Sequence, residues 1–176
     1  MQTVNNWYVI TGAPSSGKTT IIKLLEKKGY KVLYEIARIF IDQELKKGKT
    51  INEIRKNESN FQRKILDFKI NYESKLNPKE ITFLDRAIPD SLAYYELVDV
   101  PKDKYLNMAV KKTSYKKIFL LEKLEFEKDY ARTESKEEIK KLERLLEKHY
   151  KNLYFPIVKV PKMSVAKRVK FILDNL

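Results

Sequence analysis

The sequence predicts a three-layer α/β fold with a five-stranded, mainly parallel sheet and helices on both faces. Two observations predict it: five short apolar runs alternate with segments of helical periodicity, and a glycine-rich stretch, residues 12–19, directly follows the first run. Strands that alternate with helices need crossover connections, which favour parallel pairing. The chain has 176 residues, 43% of them hydrophobic, and no repeat or composition break marks a linker. We therefore expect one domain over residues 1–176.

The first predicted strand, residues 7–11, leads into a phosphate-binding loop. Residues 12–19 read GAPSSGKT and match the pattern G-x-x-x-x-G-K-[ST]. The two glycines allow the backbone to curl, so that successive N–H groups point at phosphates from the start of the next helix. Lys18 would reach the outer phosphates and Thr19 would hold Mg²⁺. The predicted nucleotide-binding residues in this loop are Gly12, Pro14, Ser15, Ser16, Gly17, Lys18, Thr19 and Thr20.

The next elements follow from apolar periodicity and punctuation residues. A helix after the loop ends near Gly29, and a second strand covers residues 31–34. Residues 36–47 read as a helix that Gly48 ends, and residues 52–76 read as one long amphipathic helix. A third strand is predicted over residues 81–85.

The second half of the chain continues the alternation. It contains a helix led by Pro89, a helix over residues 102–113, and a fourth strand over 117–121. Ser135 and Glu138 have the spacing of a capping box and predict the start of another helix. The remaining elements are a fifth strand over 155–160, for which Pro156 indicates an edge or strand-start position, and a last helix capped by Ser164.

Composition limits the function classes. The formal net charge is +13, carried mainly by lysines, which indicates either a solvated lysine-rich surface, the interpretation we favour, or a nucleic-acid footprint. The absence of cysteine excludes thiol chemistry and cysteine-based zinc sites. No run is long and apolar enough to span a membrane, and the first residues lack the layout of a signal peptide. We expect a cytoplasmic protein.

Polar residues at predicted strand ends are the candidate site residues, because ligands of such sheets bind beyond the carboxyl ends of the strands. Asp85 ends the third strand and would help to hold Mg²⁺, unless it is an ordinary strand-end cap. Arg86 would project into the same crevice and bind a phosphate or carboxylate, unless it forms a surface ion pair.

A second group of candidates lies at the end of the second strand and in a later polar segment. Glu35 could accept a proton from an attacking hydroxyl while Arg38, one helical turn on, binds the acceptor; alternatively the two residues pair with each other. Arg132 lies in a polar segment before the capped helix and could close over a triphosphate.

Together these motifs resemble the NadR-related AAA-domain ATPase family of P-loop proteins. That family is similar to the nicotinamide riboside kinase domain of bacterial NadR and, more distantly, to thymidylate and deoxynucleoside kinases. The matching residues are the loop at 12–19, Glu35-x-Ala37-Arg38, Asp85-Arg86 with Pro89-Asp90 and Ala93-Tyr94, Asp129-x-x-Arg132-x-Glu134, and Val160-Pro161 with Arg168.

The resemblance implies a P-loop NTPase fold with sheet order 2-3-1-4-5 and a set of roles. Lys18 and Thr19 take the phosphate and Mg²⁺ roles, and Asp85 provides the second carboxylate on the metal side. Arg86 resembles the arginine that contacts the acceptor, Glu35 the glutamate near the acceptor hydroxyl, and Arg132 a lid arginine. The implied acceptor-binding residues are Glu35, Arg38, Asp85, Arg86 and Asp90.

The predicted function is Mg²⁺-dependent transfer of the γ-phosphoryl group of ATP to a small nucleoside- or nucleotide-like acceptor. ATP and GTP are both open, because base choice usually rests on backbone groups near the last strand, here around Pro161. One alternative is an ATP- or GTP-hydrolysing switch that docks on RNA or acidic lipid. Another is a nucleoside or organic triphosphate hydrolase with Glu35 orienting water.

Overall fold

The computed structural model describes residues 5–124 and 134–176. Its five strands form one sheet in the order β2-β3-β1-β4-β5, and every neighbouring pair is parallel. The strands are β1 (Trp7–Thr11), β2 (Lys31–Leu33), β3 (Thr82–Asp85), β4 (Lys117–Leu121) and β5 (Ile157–Val160). This confirms the parallel sheet and the strand order implied by the family resemblance.

Eight helices lie within the described residues. They are α1 (Lys18–Lys27), α2 (Ile36–Lys46), α3 (Ile51–Arg55), α4 (Glu58–Glu73), α5 (Asp90–Leu97), α6 (Lys104–Lys111), α7 (Lys136–Asn152) and α8 (Val165–Asp174). Helix α7 begins directly after Ser135, where the predicted capping box is formed with Glu138. None of these helices combines the length and the apolar character that crossing a bilayer demands.

The hydrophobic core lies on both faces of the sheet. Tyr8 and Ile10 of β1 point to the face covered by α1 and α8, where they pack with Ile21 and Ile172. Val9 points to the opposite face, because successive side chains of a strand alternate. All five residues of β1 are buried, as expected for the central strand of a parallel sheet covered on both faces.

The helix predicted over residues 52–76 is two helices, and this part of the prediction is wrong. The side chain of Asn57 accepts a hydrogen bond from the backbone N–H of Asn60, 2.9 Å away, and caps the start of α4. Asn57 itself is extended, so the helical path breaks between α3 and α4. Asparagine competes for backbone hydrogen bonds in this way, which makes it a helix cap more readily than an interior residue.

The carboxyl ends of the strands meet along one edge of the sheet. The loop after β1 leads into α1, Asp85 ends β3, and Glu35 lies two residues beyond β2. Strand β5 is an edge strand, as Pro156 predicted, and it starts at Ile157. The candidate residues from four separate parts of the sequence are therefore brought to the same edge.

Candidate active site

The loop between β1 and α1 adopts backbone conformations that require its glycines. Gly12 has φ 147°, and a Cβ placed there would lie 2.7 Å from the carbonyl oxygen of Leu121. Gly17, with φ 83°, directly precedes α1. The loop therefore curls tightly against the end of β4 and then enters the helix, which directs its N–H groups to a common point.

Lys18 places its ammonium group inside this curl. The side chain is 4% exposed, and Nζ donates to the carbonyl oxygens of Gly12 (3.2 Å) and Ala13 (3.0 Å) and to Oγ of Ser16 (3.2 Å). Carbonyl and hydroxyl oxygens are weaker partners for an ammonium than phosphate oxygens are. The amine is thus held at the loop in a position from which it can bind a phosphate.

Asp85 provides a buried carboxylate beside the loop. It pairs in register with Ile10 of β1, and within the described part of the chain neither carboxylate oxygen has a hydrogen-bond partner. Burial raises the pKa of Asp85 to about 7, and the nearby charge of Glu35 adds to the effect. Asp85 is therefore not a strand-end cap. Unpaired carboxylate oxygens at this edge fit a hard cation such as Mg²⁺, so the residues present are compatible with the predicted metal site.

Arg86 is buried and adopts a left-handed backbone conformation, with φ 67°. Its Nε donates to Oε1 of Glu35 (3.2 Å), its Nη1 donates to Oδ1 of Asp90 (3.3 Å), and its Cζ lies 5.2 Å from the centre of the Tyr94 ring. Such a conformation is costly for a residue with a side chain and is commonly found at functional sites. The surface ion pair considered as an alternative is thus excluded.

Glu35 lies directly before α2, where its side chain meets Arg86 across the site. Burial raises its pKa, but the charges of Arg86, Lys18 and Arg38 outweigh burial, and the pKa of Glu35 lies below its usual range. Glu35 is consequently an ionised carboxylate at neutral pH. Its hydrogen-bonded ion pair is formed with Arg86, while Arg38 adds a favourable charge nearby.

Asp90 is fully buried and its carboxylate oxygens accept four hydrogen bonds. The donors are the hydroxyls of Thr11 and Tyr150, both at 2.5 Å, the Ala87 N–H at 2.9 Å, and Nη1 of Arg86. Burial raises the pKa of Asp90, but Arg86 and Lys69 and the hydrogen bonds bring it below the usual range. Asp90 therefore anchors Arg86 and the turn after β3.

A cavity of about 60 Å³ lies between the phosphate-binding loop and α2, α4 and α5. Its lining includes four predicted residues: Pro14, Glu35, Arg38 and Arg86. The other polar residues of the lining are Arg55, Gln62, Lys69, Tyr94 and Glu134. A small cavity thus connects the loop with an ionised carboxylate and several cations.

A family model described as "AAA domain" matches residues 7–168. The chain belongs to this AAA domain family. The resemblance inferred from the sequence motifs is confirmed by this match. A search of curated proteins found no match for this AAA domain.

Solved structures share the fold of the AAA domain over nearly its whole length. The deoxyadenosine kinase of M. mycoides, with dCMP and a flexible dCDP bound, is 16% identical, with a TM-score of 0.69 and coverage of 96% of this chain and 97% of that one. The thymidylate kinase of Ehrlichia chaffeensis is 13% identical, with a TM-score of 0.65 and coverage of 96% and 97%.

NadR protein in complex with NR gives a TM-score of 0.73 at 14% identity. The match covers 97% of this chain and 50% of NadR. At these identities the likeness concerns the fold. The AAA domain thus shares the fold of these proteins.

Three further predicted residues lie near the phosphate-binding loop and the end of β5. Thr19 is partly buried in the first turn of α1, and Thr20 is exposed. Pro161 follows β5, and its carbonyl oxygen accepts a hydrogen bond from Arg168. The predicted lid residue Arg132 lies outside the described residues of the AAA domain.

Two cations in the cavity lining were not predicted from the sequence. Arg55 contacts Glu58 at 2.8 Å and Glu134 at 3.9 Å, and Lys69 donates to Oγ of Ser91 at 3.1 Å. Lys69 lies within the apolar stripe of α4 and is 4% exposed. A lysine on the buried face of an amphipathic helix was the signal that could have identified it.

Proposed function

We propose that this protein is a Mg²⁺-dependent phosphotransferase that moves the γ-phosphoryl group of ATP to a small acceptor. One observation carries the proposal: the cavity that runs from Pro14 of the phosphate-binding loop to Glu35 and Arg86. Release of phosphate to water needs no such compartment, whereas transfer to a second molecule needs a place for it beside the loop.

In this proposal the nucleotide binds at the loop of residues 12–19. Backbone N–H groups and Lys18 contact its phosphates, and Thr19 and Asp85 hold Mg²⁺, which, when bound, neutralises charge on the phosphate oxygens. Pro161 lies on the side where the base would bind. The carboxylate oxygens of Asp85, which have no hydrogen-bond partner among residues 5–124 and 134–176, support its metal role.

The acceptor would occupy the cavity. Glu35, ionised at neutral pH, accepts the proton of an attacking hydroxyl, and Arg86 neutralises charge that develops on the transferred group. Arg38 orients the acceptor, and Asp90 holds Arg86 in place by accepting its hydrogen bond. Arg132 takes the role of a lid arginine. Catalysis then consists of positioning and charge neutralisation, which is the general pattern of phosphoryl transfer.

We infer a nucleoside- or nucleotide-like acceptor, acted on in the cytoplasm. The fold is shared with a deoxyadenosine kinase, a thymidylate kinase and NadR, and this likeness supports the acceptor class. The cavity of about 60 Å³ is smaller than the ~300–1,000 Å³ typical of small-molecule sites. Acceptor binding therefore requires side chains of the lining, such as the paired Arg55 and Glu134, to move apart.

The destination of the γ-phosphoryl group of labelled ATP tests the proposal. The purified chain is given Mg²⁺ and a panel of nucleosides, nucleoside monophosphates and nicotinamide riboside, beside Lys18→Ala and the matched control Lys23→Ala. Lys23 is exposed on the same helix. We expect label on one acceptor class, reduced at least 100-fold by Lys18→Ala and unchanged by Lys23→Ala. Label found only as inorganic phosphate, at a rate independent of acceptors, would overturn the proposal in favour of hydrolysis.

A further inference from the structure

Arg168 of α8 is the largest side chain among those that are almost completely buried, with 1% exposure. Its guanidinium group donates three hydrogen bonds to backbone carbonyl oxygens: Nη1 to Ser16 (2.6 Å), Nη2 to Glu122 (2.9 Å) and Nε to Pro161 (2.9 Å). Each acceptor belongs to a different connection at the carboxyl edge of the sheet. One planar group therefore ties together the phosphate-binding loop and the segments after β4 and β5.

The bond to Ser16 has a directional consequence for the phosphate-binding loop. In a trans peptide unit the C=O and the following N–H point in opposite directions. Because Arg168 holds the Ser16 carbonyl on the α8 side, the N–H of Gly17 is directed away from Arg168, towards the interior of the loop. This N–H belongs to the group of donors that a phosphate would contact.

Gly17 lies close to both Arg168 and the segment after β4. It has φ 83°, and a Cβ placed there would lie 3.3 Å from Cδ1 of Leu124 and 3.7 Å from Nη1 of Arg168. A side chain at position 17 would therefore contact both neighbours. A lysine at position 168 can place one ammonium group in this space but cannot reproduce three divergent planar donors.

We propose that Arg168 is a positioning residue for nucleotide binding, which presets the Gly17 N–H for the phosphates and fixes the phosphate-binding loop relative to Pro161. The proposal rests on the proposed nucleotide-binding function. In this role Arg168 acts through the backbone, because three of its five N–H donors are directed to the three carbonyl oxygens.

Binding of Mg·ATP and of Mg·tripolyphosphate to the full chain tests this role. Tripolyphosphate lacks the base and ribose, so its affinity reports on the phosphate-binding loop. We expect Arg168→Lys to weaken both affinities about tenfold, while the control Lys170→Met, an exposed position on the same helix, changes neither. Unfolding temperatures without nucleotide are measured in parallel, because a purely structural role lowers the unfolding temperature and leaves both affinities of the folded protein unchanged.

Two results separate this inference from the proposed function. If the wild-type chain binds neither probe, the nucleotide-binding function itself fails. If the wild type binds both and folded Arg168→Lys binds them equally well, the positioning role is overturned. If Arg168→Lys does not fold, ¹⁵N NMR of the wild type tests the role instead. We expect the Arg168 Nε–H to exchange slowly with solvent. We also expect the chemical shift of the Gly17 N–H to change when tripolyphosphate is added. Fast exchange and an unchanged Gly17 signal would contradict the proposal.

Discussion

Asp85 keeps two buried carboxylate oxygens without a hydrogen-bond donor in the described residues, and Glu35 adds a second negative charge nearby. An ionised carboxylate in such surroundings costs free energy unless a cation or proton compensates it. The raised pKa of Asp85, about 7, expresses this cost in the unliganded protein. An ionised Asp85 therefore lowers the stability of the fold, which is consistent with the metal role that we propose for it.

This cost predicts a pH dependence of stability. The pKa of Asp85 is higher in the folded protein than in the unfolded chain, so the folded state retains a proton that the unfolded chain releases. The contribution of Asp85 to the free energy of unfolding is thus largest at low pH and falls, on the order of 1 kcal/mol per pH unit, as the pH rises from ~4 to ~7. Urea unfolding at pH 5, 6 and 7 should show a shallower decline for Asp85→Asn than for the wild type.

Asp67→Asn, a substitution of an exposed carboxylate, serves as the control and should leave the slope unchanged. Glu73, whose burial raises its pKa to about 7, contributes a similar decline that remains in Asp85→Asn. An identical slope for the wild type and Asp85→Asn would show that the Asp85 carboxylate is not held in an unfavourable environment.

Gly12 and Gly29 provide a matched pair of glycine substitutions. A Cβ at Gly12 would overlap the Leu121 carbonyl oxygen, whereas at Gly29 it would meet nothing within 4 Å, and both residues have positive φ. We expect Gly29→Ala to cost ~1–2 kcal/mol and to leave nucleotide binding intact. Gly12→Ala should cost more in thermal unfolding and abolish ATP binding. Equal effects of the two variants on ATP binding would argue against a loop fixed by its contact with β4.

The sequence predicted the residues of the candidate site better than the contacts that they make. The positions of Lys18 and Thr19 could be predicted, because both belong to a local sequence pattern whose spacing fixes their geometry. The partner of Glu35 is Arg86, 51 positions away, which no local spacing identifies. Lys69 was not predicted as a site residue, because periodicity records where a residue points and not what it meets there.

At the scale of elements, capping residues decided where helices begin. The spacing of Ser135 and Glu138 predicted the start of α7, and the capping box is formed there. Asn57 caps α4 with similar chemistry, but the prediction of one helix over residues 52–76 used only the apolar repeat on both sides of it. Periodicity cannot show a break when the helices on both sides present the same face to the core.

Loss of the α7 cap gives a prediction for one element. The backbone N–H of Glu138 loses its acceptor in Ser135→Ala, which should lower the free energy of unfolding by ~1 kcal/mol. Urea unfolding measures the effect, with Lys140→Ala, exposed on the same helix, as control. Because α7 carries Tyr150, which donates to Asp90, the variant should also weaken ATP-dependent transfer slightly. A loss of stability no larger than that of Lys140→Ala would contradict the role of the cap.

Over the whole molecule, many lysines are paired with glutamates. Glu44 contacts Lys47 and Lys49, Glu147 contacts Lys151 and Lys159, and Glu96 contacts Lys102, Lys148 and His149. Pairs of this kind at an exposed surface contribute little to stability. A solvated, lysine-rich surface remains the interpretation that we favour for the +13 charge.

The proposed function predicts that Mg·ATP stabilises the folded protein and that RNA does not. Mg·ATP at about 100 times its Kd adds ~2.7 kcal/mol to the free energy of unfolding, which raises Tm by roughly 5–10 °C for a chain of this size. Lys18→Ala should remove most of this shift. RNA at 0.15 M salt should produce none, and a shift with RNA but not with Mg·ATP would favour the nucleic-acid interpretation.

Part of the cavity lining belongs to α3 and α4, which lie between β2 and β3 in the sequence. The residues proposed for phosphate chemistry lie instead at strand ends and in the loop after β1. In the proposed function, Arg55 and Gln62 thus line the acceptor cavity from a segment that carries none of the residues proposed for phosphate chemistry. We expect substitutions at these two positions to change which molecule is accepted while ATP binding is preserved. For directed evolution of new acceptor specificity, residues 51–73 are the segment to randomise.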